Sequence, residues 1–490
     1  MIPLAVESDW VARRATLFLV MGVAVAAGVA TNLPWQLDDY DQAKQAFTSL
    51  EMIGQGHWLF QHTPNGWTAT KPPLVGWISA LLFALTRSWD FAWRAPSWLA
   101  AGGLFFAVHR CARRAYGDAA AVIALAAVSL NLFAPRLSTL VRTDMPLALL
   151  IFLIGAQIWR KIDRAKPWTP RDRVIASGLL TAAMLVKGPI VYAFLLPGIV
   201  AFQIWSRRHP AAEKTSAWCG AWPWLVALLV FVVWVALGIK TVPEFLEHVV
   251  VREFAGRFEG THRAQPFYFY LPHFLHRFAP WSLVLIGFAW MARRWPAPTA
   301  RHERASSVWL VCWSLGAIVA MSLVPSKRVD RIFPVIPPLA LLMAALYAQL
   351  RDRSDSKQHA RVVATVAVIF AGLFTTGYTM AKVIPALRAR RDAFAIFARE
   401  VRADAAARGL RFDVVGGEDE GMLPYLRKLE FSEVPEAAAH WRGAAIDAVV
   451  IAEDQLPDFV REVPEADPTR AQWSEPAGNH HRRYAFLTRR

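Results

Sequence analysis

Charged residues are scarce in this chain, at 19% of 490 residues, whereas soluble domains average about 25%. Hydrophobic residues make up 55%, with 22 Trp and 29 Phe. The apolar residues form runs of roughly 15 to 23, which is the length that crosses a hydrocarbon layer. These runs argue against a large soluble core and predict a mainly α, polytopic membrane protein.

Cysteine and acidic residues are also sparse. The three cysteines, Cys111, Cys219 and Cys312, are scattered without a CxxC pair, so no disulfide framework or zinc knuckle is expected. Lys and Arg outnumber Asp and Glu, 54 to 38. Such an excess is also typical of nucleic-acid binding. Here, however, most basic residues lie in short loops between apolar runs, where the positive-inside rule places them, so no nucleic-acid partner is expected.

Eleven apolar runs are predicted to be membrane-spanning helices, and 11–13 such helices are expected in all. The runs are 15–33, 91–108, 119–135, 145–159, 174–186, 190–205, 221–239, 274–292, 306–324, 332–350 and 362–384. The first run follows two arginines and has no convincing cleavage site, so we interpret it as a retained helix. A twelfth run, 72–86, is short and opens with two prolines, so it is expected to lie along the interface or to re-enter instead of crossing.

The distribution of basic loops predicts an orientation. With the N-terminus in the cytoplasm, every expected cytoplasmic loop is basic, and three long connections fall on the far side: 34–90, 241–273 and the segment from 386. The chain is therefore expected to comprise a transmembrane domain, 1–385, and a small α/β domain, 386–490, outside the membrane. In that domain, a helix at 390–408 and strands at 412–415, 448–451 and 483–487 are predicted.

Ionisable residues gather on the far side, where the positive-inside rule disfavours bases. The bases are Lys71, Arg142, Lys187, Arg257, Arg263, Lys327, Arg328 and Arg331, and the acids are Asp38, Asp39, Asp41 and Asp144. Charges at membrane depth are costly and often mark functional sites. Convergent cations beside carboxylates indicate a phosphate-bearing ligand. Solvated loop residues, or residues touching lipid headgroups, are the alternative interpretation.

Short motifs in the first far-side loop carry a resemblance to a known family. They are, in order, Tyr40-Asp41-Gln42-Ala43, Glu51-Met52, Gly56-His57-Trp58-Leu59, and Lys71-Pro72-Pro73-Leu74 followed by Trp77. Further fragments are Arg94-Ala95-Pro96-Ser97, Arg142-Thr143-Asp144, Lys187-Gly188-Pro189, the stretch 262–270, and Ser326-Lys327-Arg328. Their order and spacing resemble the 4-amino-4-deoxy-L-arabinose lipid A transferases and the related protein mannosyltransferases, which belong to the GT-C class of lipid-linked-sugar glycosyltransferases.

The resemblance implies a fold, a reaction and roles for residues. It implies a GT-C transmembrane catalytic domain that moves a sugar from a polyprenyl-phosphate donor with inversion. Asp41 matches the aspartate at the heart of the site, and Asp144 matches a second acidic position. Lys71 matches a lysine that contacts the lipid phosphate. Further phosphate contacts are expected from Arg257, Arg263, Lys327, Arg328 and Arg331.

Three departures from the family pattern bear on metal binding and specificity. Thr70 stands where the arabinose transferases have a glutamate, which in that family holds a metal together with a histidine resembling His262. No cofactor is therefore required, and a divalent metal at His262 stays an open alternative. His57 replaces an aspartate and Arg331 a tyrosine. His57 and His62, with no carboxylate in their company, are expected to be ordinary loop residues.

The sequence thus predicts a monomeric transferase in a bacterial inner membrane, with its active site on the periplasmic side. The expected acceptor is lipid A or another envelope glycolipid, and a protein hydroxyl is the runner-up. A transporter or flippase for anionic lipids, or a non-catalytic scaffold, would use the same basic residues differently. Transporters usually contain internal repeats, and none is visible here.

Overall fold

The computed structural model describes residues 10–37, 40–209, 216–257, 264–294, 301–353, 357–416, 421–476 and 482–489, apart from the side chains of 254, 257 and 301–303. The chain folds into two compact units. The first unit is Met1–Thr31, Pro96–Thr139 and Thr143–Met380, and the second is Asn32–Ala95, Leu140–Arg142 and Ala381–Arg490. Residues 381–490 thus group with 32–95, while the expected domain boundary at 385 stays a prediction.

Helices dominate the chain. The α-helices are α1 (Arg14–Ala30), α2 (Tyr40–Gln55), α3 (Leu74–Thr86), α4 (Trp89–Tyr116), α5 (Asp118–Ser129), α6 (Ala134–Thr139), α7 (Asp144–Asp163), α8 (Pro170–Lys187), α9 (Ile190–Arg208), α10 (Trp222–Thr241), α11 (Tyr270–Arg277), α12 (Trp281–Arg293), α13 (Arg301–Leu323), α14 (Ile336–Arg351), α15 (Lys357–Arg388), α16 (Ala393–Arg408), α17 (Met422–Leu426), α18 (Val434–Arg442) and α19 (Leu456–Glu462). The strands are β1 (Phe412–Val415), β2 (Ala448–Ala452), β3 (Gln472–Trp473) and β4 (Tyr484–Thr488).

The helical segments confirm the mainly α membrane class. Each of the eleven predicted runs coincides with helical segments, and 72–86 coincides with α3. Among the described residues, six helices are long and apolar enough to cross a membrane, or seven if α11 and α12 form one bent span. The apolar helices α1, α3 and α5 are shorter, at 17, 13 and 12 residues. The count of eleven spans stays a prediction.

Two of the predicted spans are broken rather than continuous. Run 274–292 divides into α11 and α12, which meet at a 96° bend. Run 119–135 is interrupted at Asn131, whose Nδ2 donates to the carbonyls of Ala127 and Val128, while its Oδ1 accepts from the N–H groups of Phe133 and Ala134. One buried amide side chain thus satisfies the backbone groups left over where one helix ends and the next begins.

Two glycines allow α9 and α13 to pack backbone to backbone. A Cβ at Gly316 would lie 2.6 Å from the backbone nitrogen of Gly198, and a Cβ at Gly198 would lie 2.6 Å from the Cα of Trp313. Because the obstacles are backbone atoms, no side-chain rotation relieves them. Small residues bring membrane helices into close contact in this way.

Replacing Gly316 with alanine is expected to lower the free energy of unfolding by about 1–3 kcal/mol, the usual cost of overpacking a core. Gly372→Ala in α15 is the matched control, because a Cβ there meets nothing within 4 Å. Alanine in place of a helical glycine normally adds about 0.5–1 kcal/mol. Thermal unfolding of purified protein in detergent should thus show opposite signs for the two variants. A Gly316→Ala protein as stable as the wild type would contradict this packing.

The second unit contains a four-stranded sheet in the order β1-β2-β4-β3. β1 pairs parallel to β2, and β4 pairs antiparallel to both β2 and β3. The predictions of a helix at 390–408 and strands at 412–415, 448–451 and 483–487 are confirmed by α16, β1, β2 and β4. The short strand β3 was not predicted.

Both faces of this sheet are buried. Along β2, Val450 belongs to one hydrophobic cluster and Val449 to another, as expected from the alternation of side chains along a strand. The cluster of Val450 also contains Phe47 and Leu50 of α2. The sheet and the first long loop of the chain thus share a core, which positions α2.

Candidate active site

Asp41 lies in the first turn of α2, beside an arginine. Its Oδ2 is 3.8 Å from Nη2 of Arg142, whose side chain is 5% exposed. Gln42 helps to hold the arginine's segment, because its Oε1 accepts a 3.1 Å hydrogen bond from the N–H of Val141. The helix N-terminus and the guanidinium both place positive charge near this carboxylate. The pairing of Asp41 with Arg142 was not predicted.

Lys71 lies in the same unit, partly buried, immediately before the two prolines that precede α3. A proline has no N–H to donate and a fixed φ, so this pair sets where α3 begins. The role of Lys71 as a cation for the lipid phosphate stays a prediction.

Glu51, also in the second unit, has a side chain that is only 2% exposed. Its carboxylate accepts three hydrogen bonds. Nδ1 of His57 and Nδ1 of His62 lie 2.9 and 2.6 Å from its Oε1, and the N–H of His62 donates to its Oε2 at 2.6 Å. The interpretation of the two histidines as loop residues without a carboxylate is therefore wrong. Spacing along the chain did not reveal this, because the loop must fold back to bring His62 to the helix.

The protonation of this cluster follows from its contacts. Burial alone raises the pKa of Glu51, but the hydrogen bonds from His62 and His57 outweigh it, so the net pKa is lowered. The pKa of His62 is raised, chiefly by its hydrogen bond to Glu51. The carboxylate is thus ionised at neutral pH.

The first unit contains a second acid–base pair. Oδ1 of Asp144 lies 2.5 Å from Nζ of Lys187, and both side chains are 12% exposed. Asp144 begins α7 and Lys187 ends α8, so each charge also complements its own helix dipole. This ion pair does not fit the alternative interpretation of Lys187 as a solvated residue or one that touches lipid headgroups.

The loop between α13 and α14 holds the other predicted cations that the structure describes. Lys327, 5% exposed, donates to the carbonyl of Gln265 at 2.9 Å, and Arg331 donates to the carbonyl of Ser326 at 2.9 Å. Arg328 is exposed. These hydrogen bonds to backbone carbonyls orient the side chains of Lys327 and Arg331.

The side chains of three predicted site residues lie outside the part of the chain that the structure describes. His262 and Arg263 lie outside the described residues, and only the backbone of Arg257 is described, at the end of a 3₁₀ helix. Their expected roles stay predictions. Thr70, in place of the family's glutamate, is half-buried.

The chain is similar in sequence to known glycosyltransferases. Residues 70–237 match the family described as dolichyl-phosphate-mannose-protein mannosyltransferase. The undecaprenyl phosphate-α-4-amino-4-deoxy-L-arabinose arabinosyl transferase of Erwinia tasmaniensis is 26% identical over 62% of this chain and 54% of its own length. The protein with the same name in Pseudomonas aeruginosa is 30% identical over 64% of this chain and 56% of its own.

Solved structures decide the fold. The crystal structure of ArnT from Cupriavidus metallidurans bound to undecaprenyl phosphate matches with a TM-score of 0.71, at 19% identity, over 96% of this chain and 97% of that one. The oligosaccharyltransferase AglB from Archaeoglobus fulgidus matches with a TM-score of 0.51, at 13% identity, over 90% and 70%. The fold is that of the GT-C class. The resemblance drawn from the motifs is confirmed, and the GT-C chain spans a little over half the length of the curated relatives it matches.

Proposed function

We propose that this GT-C chain is an integral membrane glycosyltransferase that moves a sugar from a polyprenyl-phosphate donor to an acceptor at the periplasmic face of a bacterial inner membrane. The observation that carries the proposal is Asp41 at the start of α2, 3.8 Å from the buried Arg142. The names of the curated relatives support the donor class, as does the undecaprenyl phosphate bound to the Cupriavidus protein.

The chemistry of such a donor suits these residue types. The acceptor oxygen attacks C1 of the sugar, the bond from C1 to the phosphate oxygen breaks, and polyprenyl phosphate leaves with the electron pair. The leaving group departs as a stable anion, so cations that stabilise the charge developing on the phosphate help more than a strong acid. Lys71, Lys327 and Arg328 are the proposed cations, with Arg257, Arg263 and Arg331.

We assign the two carboxylates roles toward the acceptor and toward the sugar. Asp41 takes the proton of an acceptor hydroxyl, or orients the acceptor when that acceptor is a phosphate that is already ionised. Asp144, held by Lys187, steadies the positive charge that develops on the sugar ring. A single displacement at C1 inverts its configuration.

An envelope glycolipid such as lipid A is the proposed acceptor. The motifs of this chain resemble those of lipid A transferases, and the curated relatives named above are aminoarabinose transferases. The description of the matched family favours a protein hydroxyl as the second candidate. The proposed protein works as a monomer and needs no nucleic acid.

The test uses the purified full-length chain in lipid vesicles. Undecaprenyl-phosphate sugars are supplied with lipid A or with a serine- and threonine-rich peptide, and mass spectrometry follows free undecaprenyl phosphate and the glycosylated product. Glycosylated lipid A is the expected result. A glycosylated peptide instead would select the second acceptor. Absence of release with every donor would contradict the transferase and favour lipid transport.

A further inference from the structure

The cluster of Glu51, His57 and His62 has the composition of a metal site. Each residue offers one ligand atom, and the three atoms lie within 4.8 Å of one another. Among the residues that the structure describes, this is the one group of three such side chains that meets this condition. Both imidazoles approach the same carboxylate oxygen through Nδ1.

The surrounding backbone positions each of the three residues. Glu51 projects from a buried stretch of α2, and its second oxygen accepts the N–H of His62, which fixes the carboxylate plane. His62 lies in a small hairpin, bridged to Thr68 and closed by the bond from the N–H of Ala69 to the carbonyl of Gln61. Such outer contacts orient ligands in metal sites.

His57 is held by a separate set of contacts. The side chain of Gln61 donates to the carbonyl of His57 at 2.8 Å, and the indole of Trp77 donates to the carbonyl of Trp58 at 2.7 Å. The ring centroids of His57 and His62 are 5.5 Å apart, with an angle of 67° between the planes. The two rings therefore converge on Glu51 from different directions, as ligands of one ion do.

We propose that Glu51, His57 and His62 bind a divalent transition-metal ion of the zinc class. Two imidazole nitrogens and one carboxylate oxygen suit Zn²⁺, whereas Mg²⁺ and Ca²⁺ require mostly oxygen ligands. In a tetrahedral zinc site, ligand atoms are about 3.3 Å apart. The present separations of 2.9 and 2.6 Å from Oε1 need only small side-chain rotations. When the ion is bound, each Nδ1 is a ligand without a proton, and each neutral imidazole carries its one ring proton on Nε2.

The proposed site is distinct from the position suggested by family resemblance, which involves His262 and the residue at Thr70. It also leaves coordination positions open, because the side chains of His57 and His62 are 45% and 37% exposed. Water or an anionic oxygen completes the coordination there. The ion would fasten the hairpin to α2, whose first turn carries Asp41.

Metal binding is tested directly on the purified full-length protein, without reference to transferase activity. The protein is stripped with a chelator, and Zn²⁺ binding is titrated by calorimetry and by competition with a zinc-sensitive dye, with Mg²⁺ in parallel. We expect one equivalent of Zn²⁺ and no comparable Mg²⁺ binding. Co²⁺ should give the visible absorption of a four- or five-coordinate ion.

Variants separate a metal site from a hydrogen-bonded cluster. Glu51→Gln keeps the shape, and His57→Asn alters an exposed ligand. Each should weaken Zn²⁺ binding by at least about 100-fold, since losing even an outer-shell partner costs about 10–100-fold. His440→Ala is the matched control, because His440 also pairs with a carboxylate, Asp413 at 2.7 Å, but without a second histidine in that pair. Its zinc binding should equal that of the wild type.

Folding of each variant is checked by thermal unfolding in chelator. If Glu51→Gln unfolds, His57→Asn alone decides, because its side chain lies near the surface. Less than one equivalent of zinc on the wild type, or unchanged affinity in the His57 variant, would overturn the metal site. The proposed transferase would be unaffected by that outcome, since its own test measures release of polyprenyl phosphate.

Discussion

The Asp41→Asn protein is expected to transfer sugar about 10²–10⁴-fold more slowly than the wild type, the usual contribution of a positioned acid–base group. Asparagine keeps the size of the side chain but loses the charge that faces Arg142. Binding of polyprenyl phosphate should change little, because the proposed phosphate contacts are the lysines and arginines. The measurement is kcat for release of polyprenyl phosphate, with binding of the lipid followed separately.

The acceptor determines how large this effect is. An acceptor hydroxyl must lose a proton, so Asp41→Asn should slow transfer to a hydroxyl more than transfer to an acceptor phosphate.

Asp118→Asn serves as the control, because Asp118 also begins a helix and pairs with an arginine, Arg113, but is exposed. It should retain full activity. Unchanged kcat in Asp41→Asn with both acceptor types would remove Asp41 from the mechanism.

Lys187→Met is expected to lower the free energy of unfolding by about 3 kcal/mol, because breaking a buried ion pair leaves the remaining charge poorly compensated. Methionine retains much of the apolar stem, so the loss reports the ammonium group. The pair joins the start of α7 to the end of α8, both side chains being 12% exposed. Thermal unfolding in detergent measures the change.

A double-mutant cycle separates the pair's contribution to stability from its contribution to catalysis. Removing both charges in Asp144→Asn/Lys187→Met should recover much of the lost stability. Activity should not recover, because the proposed role of Asp144 at the sugar needs its carboxylate. A double variant no more stable than Lys187→Met would contradict the coupling, and a fully active one would exclude Asp144 from the reaction.

Local patterns were sufficient to predict much of the secondary structure. β1 begins and ends at the predicted residues, 412 and 415. The apolar runs lie on helices because a hydrocarbon layer demands internally satisfied backbone over a set length. The breaks within the runs were not predicted. Asn131 ends one helix by bonding backbone groups on both sides of it, and hydropathy contains no information on such bonds.

For the charged residues, too, the sequence predicted the individual residues but not their pairing. Composition and motif order predicted that Asp41, Lys71 and Asp144 matter, because ionisable groups near a bilayer are costly. They did not predict that Arg142 lies beside Asp41 or that Lys187 binds Asp144, since each pairing joins segments that lie far apart in the chain.

The amino-acid sequence by itself determined the membrane class, the helical runs, three of the four strands in the C-terminal sheet and the family resemblance. Each depends on local periodicity, run length or motif order. Only the tertiary structure decided which charges pair, where helices break and how Glu51 meets His57 and His62. Those features depend on distances between segments that are remote in the chain, and short-range patterns do not encode such distances.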